Sequence, residues 1–178
     1  MNINEFAASM RLGGARPNLF RVQFQSPFNS LLAVPFRVRA ALLPAMTLGT
    51  LPAPYMGRVK KLPGNRTFEP WNVTIMEDED LEIKNALEQW SNSINSMEGN
   101  VNTFNSPAPI EYETQATVSL LGKQNNVLRE YTMINMWPKN VSQVQLDWET
   151  NDQIFQHDVE FEFDFFKVDG GITGTVSG

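Results

Sequence analysis

Apolar and polar positions alternate with a period of two along most of this chain, and a period near 3.6 takes over once. Phe20, Val22 and Phe24 stand against Arg21, Gln23 and Gln25, the pattern of a strand with one buried face, and Phe36, Val38, Ala40 and Leu42 repeat it. Pro44, Gly49, Pro52 and Pro54 exclude a helix interior, so the segment from Pro44 to Pro54 reads as a long projecting loop. Arg58 to Leu62 reads as a short basic strand closed by a Pro63-Gly64 turn. Trp71, Val73 and Ile75 then resume the period of two.

Helical spacing appears in Ile83, Ala86, Leu87, Trp90, Ile94 and Met97, with Glu82, Lys84, Glu88 and Gln89 opposite. The acidic run Glu77, Asp78, Glu79 and Asp80 offers an Asp N-cap and negative charge at the positive end of the helix dipole, and Gly99 suits the exit. A Pro-containing loop from Asn102 to Pro109 follows. Ala116, Val118 and Leu120 then alternate, Gly122 to Asn126 turns the chain, and Leu128 to Trp137 runs back as a hairpin ended by Pro138.

Val144, Leu146 and Trp148 form a further strand-like run. Asn151-Asp152 turns into the longest strand, with Phe155, His157, Val159, Phe161, Phe163 and Phe165 on one face and Gln156, Asp158, Glu160, Glu162, Asp164 and Phe166 on the other. At about 3.3 Å per residue such a strand spans roughly 40 Å, the height of a barrel or a tall wall. The expected fold is therefore mainly β (α+β): an antiparallel β-barrel or sandwich with one α-helix packed against it and long projecting loops. Residues 18–168 form the domain, 1–17 an N-terminal arm and 169–178 a flexible Gly-rich tail.

Composition narrows the chemistry. With 178 residues and 42% apolar content, the chain can bury a self-supporting core without staples. It contains no cysteine and one histidine, which removes thiol nucleophiles, thiolate zinc sites and His-rich metal sites together. No continuous apolar run of signal-peptide or membrane-span length is present, which predicts a protein that starts in the cytoplasm and meets no membrane. Three Asn-x-Ser/Thr sequons, at Asn65, Asn72 and Asn140, are on that expectation chance matches.

The net charge of −6 conceals a split: residues 1–76 hold nine basic and two acidic side chains, residues 77–178 five and eighteen. A molecule with one basic and one acidic pole attracts copies of itself head to tail.

No residue set carries a strong catalytic signal. Glu77 to Asp80 lacks the spaced oxygen ligands and the glycine of a calcium loop and reads as helix capping. Asp158, Glu160, Glu162 and Asp164 could supply a glycosidase pair, yet carboxylates on one strand face more simply make a solvated surface. His157 alternates onto the Phe-rich face with no nucleophile motif anywhere in the chain. Leu121-Gly122-Lys123 lacks the flanking residues of a phosphate loop. The one basic cluster, Arg58, Lys60, Lys61 and Arg66, is flanked by Tyr55 and Phe68, a thin basis for nucleic-acid binding. No cofactor, no metal and no catalysis are expected.

The stretch Pro54 to Asn100, PYMGRVKKLPGNRTFEPWNVTIMEDEDLEIKNALEQWSNSINSMEGN, resembles the tail tube proteins of contractile-tailed, T-even-like bacteriophages. So does Asn140 to Phe166, NVSQVQLDWETNDQIFQHDVEFEFDFF, with its Leu-Asp-Trp and Asn-Asp-Gln elements leading into the last strand. The resemblance covers roughly Asn18 to Val168. It implies a structural protein of the virion, a homohexameric ring stacked into a hollow tube inside a contractile sheath, through which DNA is ejected. The implied partners are further copies of the chain, the tail sheath protein, the baseplate or tube initiator, the tail terminator, and viral DNA that passes without specific binding. Assembly would take place in the host cytoplasm. A baseplate-proximal tube initiator of the same fold and, from another class, a soluble β-barrel binding a ligand or carbohydrate are the alternatives.

Two site expectations follow. The Pro44 to Pro54 loop and the basic strand with Arg58, Lys60 and Lys61 carry ring-to-ring contacts against an acidic surface of the next ring. The acidic face Asp158, Glu160, Glu162 and Asp164 lines the lumen, because duplex DNA carries about one negative charge per 1.7 Å of axis and an anionic wall lets it pass without affinity. The competing reading turns that face outward to sheath or solvent.

Overall fold

Strand β1 (Phe20–Gln25) forms where the alternation predicts it, with Val22 buried and its polar residues outward. The computed structural model describes residues 3–10, 14–25, 37–103 and 112–170. Most of the Asn102 to Pro109 loop and of the Gly-rich tail, together with Phe36, lies outside the described residues.

After β1 come β2 (Val38–Ala41), β3 (Met46–Tyr55), β4 (Arg58–Phe68), β5 (Trp71–Met76), helix α2 (Glu82–Ile94), β6 (Thr114–Leu121), β7 (Val127–Val141), β8 (Gln156–Glu162) and β9 (Phe165–Asp169). A first helix, α1 (Ile3–Ser9), precedes them; it buries no residue, and its short length carries no periodic signal. The body strands pair antiparallel in the order β1-β6-β7-β8-β5-β2, with β9 also on β7. Among the described residues this path does not close into a barrel. It curls instead, bringing Phe24 of β1 within 5.7 Å of Trp71 and 5.4 Å of Phe161, ring centre to ring centre, on strands at its far side.

The core fills that curl. Val22, Ala116 and Val118 come from one side, Trp71, Val73, Ile75, Val159 and Phe161 from the other, and Met133 and Met136 from β7 between them. Helix α2 caps the core with Ile83, Ala86, Leu87 and Trp90, the i, i+3, i+4, i+7 face its spacing predicts. Trp90 Nε1 donates to the Tyr112 carbonyl at 2.9 Å, satisfying its polar edge while the ring is wholly buried.

Helix capping differs from expectation. The N-cap is Leu81 in the left-handed region (φ 49°) and has no side-chain cap. Asp80 Oδ1 accepts from the Glu82 amide at 3.2 Å, Asp78 Oδ1 from the Glu79 amide at 2.9 Å, and both carboxylates face Arg37 at 3.7 and 3.5 Å. The acidic run thus builds a turn before the helix. At the other end the helix stops at Asn95, and Gly99 lies in the turn beyond it.

Two strand limits also move. β7 continues through Pro138 to Val141, because a register shift between Pro138 and Asn140 accommodates the missing N–H. The expected long last strand is broken into β8 and β9 where Asn135 adopts φ 57° and its side chain donates to Asp164 at 2.7 Å. Both pieces run along β7, but the inward side changes: Phe163 is buried before the break, Phe165 is exposed after it, and Phe166 and Val168 turn inward. The 40 Å wall is therefore two short strands in series.

Candidate assembly surfaces

The segment expected as a projecting loop is a strand. β3 and β4 pair along their whole length as a two-stranded ribbon apart from the body sheet, and β4 continues past Pro63-Gly64 to Phe68. The prolines fit because Pro52 and Pro54 lie two residues apart, so both aim their absent N–H at the same unpaired edge. The turn is Met56-Gly57, at φ 45° and 76°, the two positive values that match the twist of a tight hairpin. Near the root the strands approach so closely that a Cβ on Gly64 would lie 3.1 Å from the Gly49 carbonyl.

Ten residues of β3 at about 3.3 Å each make an arm of roughly 33 Å. Its apolar side chains are uncovered: Met46, Leu48, Leu51, Tyr55, Met56, Val59 and Leu62 are all exposed, Met56 to 87%. Pairing register places Arg58 opposite Tyr55, Lys60 opposite Ala53 and Leu62 opposite Leu51, so these share one face. Lys61, opposite Pro52, falls on the other face with Val59. The three expected contact bases therefore share one arm but not one face. No acidic residue lies between Met46 and Phe68.

The acidic set on β8 is partly compensated. Lys139 Nζ lies 3.4 Å from Glu160 and 2.9 Å from Glu162, and the two carboxylates hold its ammonium above the usual lysine range. Thr74 Oγ1 donates to Asp158 at 2.6 Å, and Asp164 sits beyond β8, held by Asn135. Asp158, Glu160 and Glu162 lie at alternate positions on the outer face of β8, while Asp164 lies at the break.

His157 is buried, as its alternation predicts, but it has a neighbour the sequence did not suggest. Its Nδ1 lies 3.5 Å from Glu77 Oε1, both side chains are fully enclosed, and neither makes a hydrogen bond of good geometry. Burial raises the Glu77 carboxyl, against the lowering pull of the Lys84 and Ile83 amides and of Arg37. Burial also lowers His157, aided by Lys84. Both directions favour the neutral forms, so burial works against an ion pair here despite the short distance. Among the described residues no group of three His, Cys, Asp or Glu side chains could hold a metal ion.

The Val144, Leu146 and Trp148 run is not a strand. The segment between β7 and β8 makes no ladder, Trp148 is 100% exposed and Leu146 81%. Their alternation is real, but among the described residues only Val144 is partly covered, and Leu146 and Trp148 stand open.

The family described as phage tail tube protein matches residues 3–169. Tail tube protein gp19 of Enterobacteria phage T4 is 33% identical over 154 residues, 86% of this chain and 91% of that protein. The tail tube protein of Serratia phage KSP90 is 29% identical over 168 residues, 90% and 93% of the two chains. Among solved structures, the tube terminating cap of the anti-feeding prophage aligns with a TM-score of 0.65 at 16% identity, covering 89% of this chain and 92% of its own. A chain of the sheath–tube complex of an extracellular contractile injection system aligns with a TM-score of 0.55 at 18% identity, covering 96% and 99%. At such identities these two similarities speak to the fold.

Proposed function

The chain belongs to the phage tail tube protein family, and from that premise we propose that six copies close into a ring, that rings stack into a hollow tube within a contractile sheath, and that DNA leaves the virion through the lumen. Its role is structural, as a component of the tail tube, and we assign it no catalysis. The curated relatives carry the name tail tube protein, which favours the main tube over a baseplate-proximal initiator. Sheath, baseplate and terminator are the other partners of such a tube, and its assembly belongs to the host cytoplasm.

The observation that carries this reading is the arm. An isolated two-stranded hairpin is marginal in water, and this one exposes large apolar side chains along its whole length. A neighbouring protomer is the natural cover, and Arg58, Lys60 and Lys61 serve as its ring-to-ring contacts. In the same reading the Met1 to Pro17 segment is an arm beside the 18–168 tube domain, in keeping with exposed Ile3 and Phe6 on α1.

The outer face of β8 is our candidate for the lumen. Lys139 offsets part of its charge, which leaves a mildly anionic surface rather than a strongly repelling one. Replacing Glu160 and Glu162 by lysine should slow DNA ejection without stopping assembly, and unchanged ejection would point the face to sheath or solvent.

Electron microscopy of purified protein in negative stain tests the assembly reading. Rings or tubes are expected. Monodisperse monomers would favour the soluble ligand-binding protein instead.

A further inference from the structure

Strands β5 and β8 give the protomer two distinguishable ends. The arm leaves from the Trp71 end: β4 finishes at Phe68, and Trp71 Nε1 donates to the Leu42 carbonyl at 2.6 Å, just before β3 begins. The opposite end is Met76, in register with Gln156. Two acidic segments leave there side by side, the Asp78 to Asp80 turn and the loop 142–155, joined by the Glu77 amide donating to the Phe155 carbonyl at 2.9 Å. About six residues of strand, roughly 20 Å, separate the two ends.

The loop end has the properties the arm lacks. Between Ser142 and Gln156 the charges are Asp147, Glu149 and Asp152, with no base. Trp148, Leu146 and Ile154 are exposed among them. Basic charge among uncovered apolar groups thus stands at one end of the protomer, and acidic charge among uncovered apolar groups at the other.

We propose that the arm of one protomer docks on the 142–155 loop of a protomer in the neighbouring ring. Trp148 and Leu146 meet the arm face that carries Leu51, Tyr55 and Leu62, and Arg58 and Lys60 on that face meet Asp147, Glu149 and Asp152, with Lys61 adding charge from the other face. The proposal rests on the stacked-ring reading above and names the surface that receives the arm. Unlike patches at opposite ends make a heterologous contact, which repeats from copy to copy without closing, as a stack requires. A large aromatic side chain surrounded by polar residues is the usual anchor of such a contact, while charge sets register and encounter rate.

Charge reversal in the full-length protein tests it. One variant reverses the arm (Arg58→Glu, Lys60→Glu, Lys61→Glu), a second the loop (Asp147→Lys, Glu149→Lys, Asp152→Lys), a third combines both, and a fourth is Trp148→Ala. Ring content is measured by mass photometry, tube length by electron microscopy and folding by thermal melting. Each single reversal should leave folded rings whose tubes are at least ten-fold shorter, Trp148→Ala should do the same, and the combined variant should regain length. If the loop and Trp148 variants polymerise like the parent while the arm variant does not, the arm docks elsewhere and the proposal fails with the arm reading intact. Normal tubes from the arm variant as well would overturn both.

Discussion

The body sheet and the β3–β4 arm are built from similar residues and meet opposite fates. In the body, Trp71, Trp90, Phe161 and Ile75 vanish from solvent within one protomer. In the arm, Leu51, Tyr55, Met56 and Val59 stay in water, and both strands end in free edges. The body therefore accounts for the stability of a single chain, and the arm for its behaviour among copies. Apolar surface left uncovered along an ordered ribbon marks a contact site.

Variants should split the same way. The largest effect is expected from Phe161→Ala, which removes a fully buried ring touching Phe24, Trp71 and Trp90. It should cost about 3–5 kcal/mol, read by denaturant unfolding, and lose rings and tubes together. A smaller, pH-dependent effect belongs to Glu77 and His157. His157 has a lowered pKa in the fold, so its contribution is intact above its unfolded value of about 6.5 and is lost as pH falls toward the folded value. Glu77 has a raised pKa, so its burial cost is full above the folded value and is relieved as pH falls through that value toward 4.5. Glu77→Gln, which leaves the histidine alone, should lose stability between pH 6.5 and 4.5. His157→Gln, which leaves the carboxyl alone, should gain it. Melting temperatures of both variants across that range check the signs, and parallel slopes would refute the opposed shifts of the two groups.

The smallest effect on stability is expected in the arm. Tyr55→Ser with Val59→Ser should change unfolding free energy by no more than about 0.5 kcal/mol, because neither side chain is covered in the protomer. The same pair should sharply reduce tube yield in microscopy. A large loss of stability would mean that the arm already folds against its own body.

The contrast also explains what the sequence disclosed. β1, β5 and α2 were readable because their alternating or helical apolar positions are the positions the protomer buries. β3 reads as a loop in the sequence because Pro52 and Pro54 look like breakers, and only the outward edge of a ribbon makes them harmless, while Arg58 to Leu62 reads as the strand it is. Val144, Leu146 and Trp148 show the reverse error. Their period of two resembles a strand, but the pattern cannot say whether an apolar residue is buried in its own chain or in the next. The break between β8 and β9 is not legible in the local pattern because it depends on Asn135, 29 residues before Asp164 and in a left-handed conformation. Glu77 joined His157 only through the pairing of β5 with β8. The recognisable blocks from Pro54 to Asn100 and from Asn140 to Phe166 hold the arm tip and the exposed loop together with β5, α2 and β8, so they span open surface and buried core alike.

Hydrogen exchange on isolated rings and on polymerised tubes tests most directly whether neighbours complete the arm. Amides of Met46–Phe68 should exchange quickly in rings and become protected in tubes, while those of β5 and β8 stay equally protected in both. Arm amides that exchange at the same rate in rings and in tubes would contradict the account.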